Sequence, residues 1–148
     1  MFEKRSIMLE KALVAEIEIA IRFNEVDALG IVWHGNYIKY FEDGREAFGE
    51  KFNLNFQKIY INDGFVTPIV NVDCSYKQSL KYGDRAIIQT RLIPTRASKI
   101  VFEYSIFRAL DRQLMCTGKT TQVFVSREGE LFYTVPEFYA SWKQKMGL

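Results

Sequence analysis

The stretch EIEIAIRFNEVDALGIVWHGNYIKYFEDGREAFGEKF, from Glu16 to Phe52, changes its hydrophobic period once, and that change decides the fold. From Glu16 to Phe23 the residues alternate strictly: Ile17, Ile19, Ile21 and Phe23 point one way, and Glu16, Glu18, Ala20 and Arg22 the other. A period of two belongs to a half-buried strand. Asn24 to Gly35 breaks the alternation and carries Gly30 and Gly35, so it reads as a loop. Beyond it Tyr37, Tyr40, Phe41, Gly44, Ala47, Phe48 and Phe52 recur at three and four residues, the spacing of an amphipathic helix. Asn36 is the expected N-cap of that helix. Gly44 falls inside the apolar stripe, where glycine costs about 1 kcal/mol relative to alanine. Close approach of a strand is the expected reason to keep it.

On the C-terminal side the chain is nearly all strand. Val66–Tyr76 leads to a turn at Lys81-Tyr82-Gly83-Asp84, and Arg85–Ile93 ends at Pro94. Lys99–Arg108 places Ile100, Phe102, Tyr104 and Ile106 on one face, Leu114–Ser126 ends before Glu128-Gly129, and Glu137–Met146 is a candidate terminal helix. One long helix with antiparallel strands joined by short turns predicts an α+β chain whose five-stranded sheet wraps the helix. No repeat, linker or low-complexity tract interrupts it, so residues 1–148 read as a single domain; 48% hydrophobic residues suffice for one core.

Composition excludes several classes. A net charge of +2, with the cations scattered, argues against a nucleic-acid partner. No run of about 18 apolar residues exists, so no membrane-spanning helix is expected. Met1 to Ala15 holds Glu3, Lys4, Arg5, Glu10 and Lys11, which leaves no apolar core for a secretion signal, and a cytoplasmic protein is expected. Cys74 and Cys116 lie far apart in sequence and read as reduced, buried thiols. One histidine and two distant cysteines do not make a zinc site. The chain has no G-x-S-x-G elbow, no G-x-G-x-x-G and no P-loop, so no cofactor is expected.

The loop and helix start read Asp27-Ala28-Leu29-Gly30-Ile31-Val32-Trp33-His34-Gly35-Asn36-Tyr37. Asp27, Gly30, Val32, His34, Asn36 and Tyr37 match a D-x-x-G-x-V-x-H-x-N-Y signature. In this the chain resembles the 4-hydroxybenzoyl-CoA thioesterase-like hotdog proteins, most of all the small acyl-CoA thioesterases associated with the bacterial Tol-Pal system. Tyr82-Gly83-Asp84, Ser98 to Phe102 and Glu128-Gly129 resemble the same layout more weakly, so the likeness runs over roughly residues 13 to 136. The resemblance implies a hotdog fold, hydrolysis of an acyl-CoA or acyl-carrier-protein thioester, and a homodimer or homotetramer with its active site between protomers.

Thioester hydrolysis needs a base or nucleophile, together with positive potential where the carbonyl oxygen gains charge. Asp27 supplies the first, either by direct attack or by taking a proton from water. The free amides at the helix start supply the second, and the family points to the backbone amide of His34. One such donor is worth on the order of 3 kcal/mol in other acyl-transfer enzymes. The His34 side chain either assists the chemistry or only packs the loop. Gly30, Val32, Trp33, Gly35, Asn36 and Tyr37 are the remaining candidates around the substrate. For Gly30 the alternatives are a positive φ, close backbone approach or an ordinary loop glycine; for Trp33 and Tyr37, an acyl pocket or the core. Arg96 and Lys99 are the resemblance's candidates for the CoA phosphates, or else ordinary surface cations. Glu42 and Glu46 on the helix read as solvated charges, Glu42 being the first to test. One departure stands out: the resembled branch commonly has tyrosine four residues before the aspartate, where this chain has Phe23. The rivals are a hydroxyacyl-thioester dehydratase, which lacks its His-Phe-Pro segment here, and a non-catalytic acyl-binding module.

Overall fold

The computed structural model describes residues 12–148. The reading of Met1 to Ala15 as no leader therefore falls largely outside the described residues.

Strand β1 runs Val14–Ala20, shorter than the alternation predicted. The period ends because Phe23–Glu25 turns into one 3-10 helical turn, which leaves Phe23 76% exposed instead of beside the buried Ile21. Helix α1, Asn36–Phe52, buries Tyr37, Tyr40, Phe41, Gly44 and Phe48 of the expected stripe against β1, β4 (Arg85–Ile93) and β5 (Lys99–Arg108). Asn36 is not the cap of α1. Gly35 holds that position and contributes no side-chain cap, while Asn36 is the first helical residue.

The main sheet has five antiparallel strands in the order β1-β4-β5-β6-β3, where β3 is Ile69–Tyr76 and β6 is Leu114–Val123. Register pairs Ile17 with Ile88, Ile88 with Ile106 and Ile106 with Cys116, so one apolar row crosses four strands under the helix. Ile100, Phe102, Tyr104 and Ile106 are all buried, as their alternation predicts. Two predicted strands are each cut in two. Pro68 lacks an N–H and interrupts Val66–Tyr76, so β2 (Phe65–Val66) leaves the main sheet and pairs with β7 (Val125–Ser126), which is split from β6 at Phe124.

Helix α2, Phe56–Asp63, has no counterpart in the sequence reading, which took α1 as the one helix available to the sheet before the C-terminal segment. Its signal was local: the Asn55 side chain accepts from the Lys58 amide at 2.9 Å, a standard N-cap, and Ile59 is its one buried residue. Helix α3, Glu137–Lys145, closes the end of the core with Tyr139 and Trp142, and the Trp142 indole donates to the Phe52 carbonyl at 2.8 Å.

Two glycines set the helix-to-sheet spacing. A Cβ on Gly44 would run into Thr90 and Ile88 of β4, the close approach that its place in the stripe suggested. A Cβ on Gly118 of β6 would overlap the Phe41 ring, which stacks on Tyr104 at 4.4 Å between centroids.

Candidate active site

Asp27 opens a short hairpin. Its amide donates to the Ile31 carbonyl at 2.8 Å, its own carbonyl accepts from the Gly30 amide at 2.9 Å, and Val26 bridges Val32. This is a three-residue loop ending in a left-handed residue, and Gly30 takes that position at φ 76°. Of the three readings of Gly30, the positive φ is the one observed. The Asp27 Oδ1 atom accepts from the Leu29 amide at 2.8 Å, which fixes the side chain over its own turn while the residue stays exposed.

The hairpin is tied to the segment between β3 and β4. Val32 is buried and its amide donates to Leu80 at 2.9 Å, Ile31 bridges Lys81, and the Tyr82 amide donates to Gly30 at 3.3 Å. Val32 is therefore an anchor of the loop. Phe23 and Tyr82, both largely exposed, meet edge to face at 5.7 Å beside it.

The helix start follows directly. The Trp33 indole folds over Gly35 and leaves no room for a Cβ there, while half of the Trp33 side chain remains exposed. The His34 carbonyl accepts from the Tyr76 hydroxyl at 2.7 Å, and the His34 ring is exposed next to Trp33. Among the described residues, the amides of His34 and Gly35 meet no acceptor. Such orphan donors sit at the positive end of the helix dipole and suit an anion or a polarised carbonyl. Asn36 donates from Nδ2 to the Glu25 carbonyl at 2.8 Å, so it fastens the helix to the loop. Tyr37 is buried and its hydroxyl accepts from the Leu80 amide at 3.0 Å. Burial pushes its phenol up, so it stays neutral, and its position is that of a core residue.

Arg96 and Lys99 are not brought to this place within one chain. Arg96 lies in the β4–β5 connection and Lys99 opens β5, both beyond the far end of β4, roughly 25 Å away at about 3.4 Å per strand residue. Ser98 there donates to the carbonyls of Phe132 and Thr134, and Lys143 of α3 to that of Thr95. Glu42 is exposed and 3.7 Å from Arg45, and Glu46 is exposed too. The principal grooves, such as the 410 Å³ cleft between α2 and α3, are not lined by Asp27 or His34.

The sequence reading missed Glu25, Tyr76 and the proximity of the two thiols. Glu25 carried no signal in a stretch read as loop, and Tyr76 joins the site only through strand pairing. Cys74 Sγ and Cys116 Sγ lie 3.5 Å apart on β3 and β6; both are free, Cys116 buried and Cys74 partly so. No cluster of metal ligands occurs among the described residues.

One helix laid across a five-stranded antiparallel sheet, with an acidic hairpin at its amino end, defines the hotdog class. Residues 21–143 match the pattern of the thioesterase-like superfamily, and the chain belongs to that family. It is 30% identical to the Bacillus subtilis (strain 168) protein YneP over 115 residues, 78% of this chain and 82% of that one. The solved 4-hydroxybenzoyl CoA thioesterase from Pseudomonas sp. strain CBS-3 superposes with a TM-score of 0.78 at 28% identity, covering 88% of this chain and 99% of that one. The chloroplastic acyl-acyl carrier protein thioesterase ATL3 of Arabidopsis thaliana is 25% identical over 76% of this chain, which spans 59% of its length.

Proposed function

We propose that this chain hydrolyses acyl-CoA thioesters to the free acid and CoA, with Asp27 as the carboxylate and the His34 amide as carbonyl-polarising donor. The observation that carries this is a turn-fixed carboxylate on a hairpin that the Glu25 carbonyl ties to the start of α1, where two amides are unpartnered. Asp27 keeps a second oxygen for water or the thioester carbon, and its exposure in the single chain leaves it open to a substrate. His34 acts here through its backbone, since its ring is exposed and its carbonyl is held by Tyr76. The one histidine is followed by Gly35 and no His-Phe-Pro segment occurs, which disfavours the dehydratase.

The site is completed by a second copy. Among the described residues strand β3 is a free edge of the sheet, and its Val70, Val72 and Tyr76 are 58%, 36% and 49% exposed. An exposed apolar edge is a hazard unless paired. Tyr76 holds His34 from the same strand, so a partner joined at β3 would wall the region around the helix start. That arrangement would also let a partner supply Arg96 and Lys99 to the phosphates. The pair of free thiols suits a reducing, cytoplasmic compartment.

Thiol release from a panel of acyl-CoAs, followed with a thiol-reactive dye, tests the reading. A large fall in turnover in Asp27→Asn is expected. Parental turnover in that variant would discard Asp27, and tight binding without release in the parent would identify an acyl-binding module. The likeness to ATL3 makes acyl-carrier-protein thioesters the second substrate set to assay.

A further inference from the structure

Glu25 takes no part in the chemistry just described, yet it is 5% exposed and the one buried carboxylate among the described residues. Its Oε1 accepts from the Arg22 amide at 2.7 Å, and its Oε2 lies 3.5 Å from Lys39 Nζ. Its backbone carbonyl accepts from the Trp33 amide at 3.0 Å and from Asn36 Nδ2 at 2.8 Å. Arg22 enters the Asp27 hairpin, Trp33 leaves it, and Asn36 and Lys39 are in the first turn of α1. One residue therefore grips both limbs of the loop and the helix start.

Burying a carboxylate is costly even when it is paired, and an apolar side chain would serve mere packing better. The Tyr40 hydroxyl, one position along the helix from Lys39, is buried without a partner. Burial and then the Glu25 charge push that phenol up, so it remains a neutral neighbour of the carboxylate. Lys39, half exposed, is the cation that offsets Glu25 and keeps its negative charge from cancelling the positive potential of the helix start.

We infer that Glu25 is a positioning residue for Asp27, locking the carboxylate's hairpin and the amides of α1 into one unit. The inference rests on the thioesterase reading above. It predicts that loosening the grip damages turnover more than substrate affinity, because a misplacement of about 1 Å costs on the order of a hundredfold in rate.

The test compares Glu25→Ala, Glu25→Gln and Asp27→Asn on the best acyl-CoA. Glu25→Ala should lower kcat by roughly 10- to 100-fold with KM within about twofold. Glu25→Gln keeps an acceptor for the Arg22 amide and should recover most of the loss. Hydrogen exchange of residues 22–36 should quicken in Glu25→Ala while β4, β5 and β6 stay protected. Should Glu25→Ala not fold, Glu25→Asp, one methylene shorter, takes its place with the same kcat loss expected. A folded variant with parental kcat, a defect confined to KM, or no recovery with glutamine would overturn the inference. An active Asp27→Asn would instead overturn the assignment of Asp27 on which the inference rests, whereas an inactive one beside a fully active Glu25→Ala would leave that assignment standing.

Discussion

Asp27 commits one carboxylate oxygen to the Leu29 amide, and this is what separates it from an ordinary solvated loop acid. Asn in its place can still accept that bond through its amide oxygen, so Asp27→Asn should leave the turn intact and remove only the charge. The expected result is a fall in kcat of roughly a hundredfold to ten-thousandfold, with an unchanged melting curve. His34 calls for the opposite expectation. Its exposed ring is not tied to the loop, so His34→Ala should keep kcat within about tenfold of the parent in the same dye assay; a loss of three powers of ten would assign the ring a direct role. That Asp27, Gly30 and His34 are neighbours was legible because a linear motif records residues that share one loop. Glu25 was not, since burial of a charge depends on what packs over it, and here that is the first turn of α1.

At the scale of the elements, periodicity succeeded where one face of a strand or helix meets one neighbour, as in α1 and β5. It failed where a single residue interrupts pairing. Pro68 and Phe124 divide two strands, and the short helix α2 has too few turns to show a stripe. Gly44 illustrates competing terms. Alanine there would gain about 1 kcal/mol of helix propensity, but its methyl would have to displace Thr90 and Ile88, and overpacking costs about 1–3 kcal/mol. Gly44→Ala should therefore lower the denaturant midpoint, and a raised midpoint would show that β4 yields easily. Tyr104 joins helix and sheet differently. Its hydroxyl lies 2.7 Å from Thr120 Oγ1 and accepts from Arg45 at 3.2 Å, with the Arg45 side chain only 11% exposed. Tyr104→Phe leaves both partners short of a bond and should cost about 1–3 kcal/mol in urea unfolding.

The whole molecule is where the sequence said least, because the joint between copies proposed at β3 has no linear signature. Asp27 lies beyond one end of β4 and the pair Arg96 and Lys99 beyond the other. If copies join at β3, Val72→Lys should convert the oligomer to monomer in light-scattering chromatography and reduce turnover with it; a dimer that survives this change would move the joint elsewhere. The two close-approach glycines bear on all of this at a distance. One lies on the helix and one on the sheet, so the seating of α1 is set by atoms that are missing. A side chain added at Gly118 would lever the helix outward by way of Phe41, about two turns of helix away from the His34 amide. Where such a protein still folds, its lesion would show as lost speed, easily mistaken for damage at the carboxylate itself.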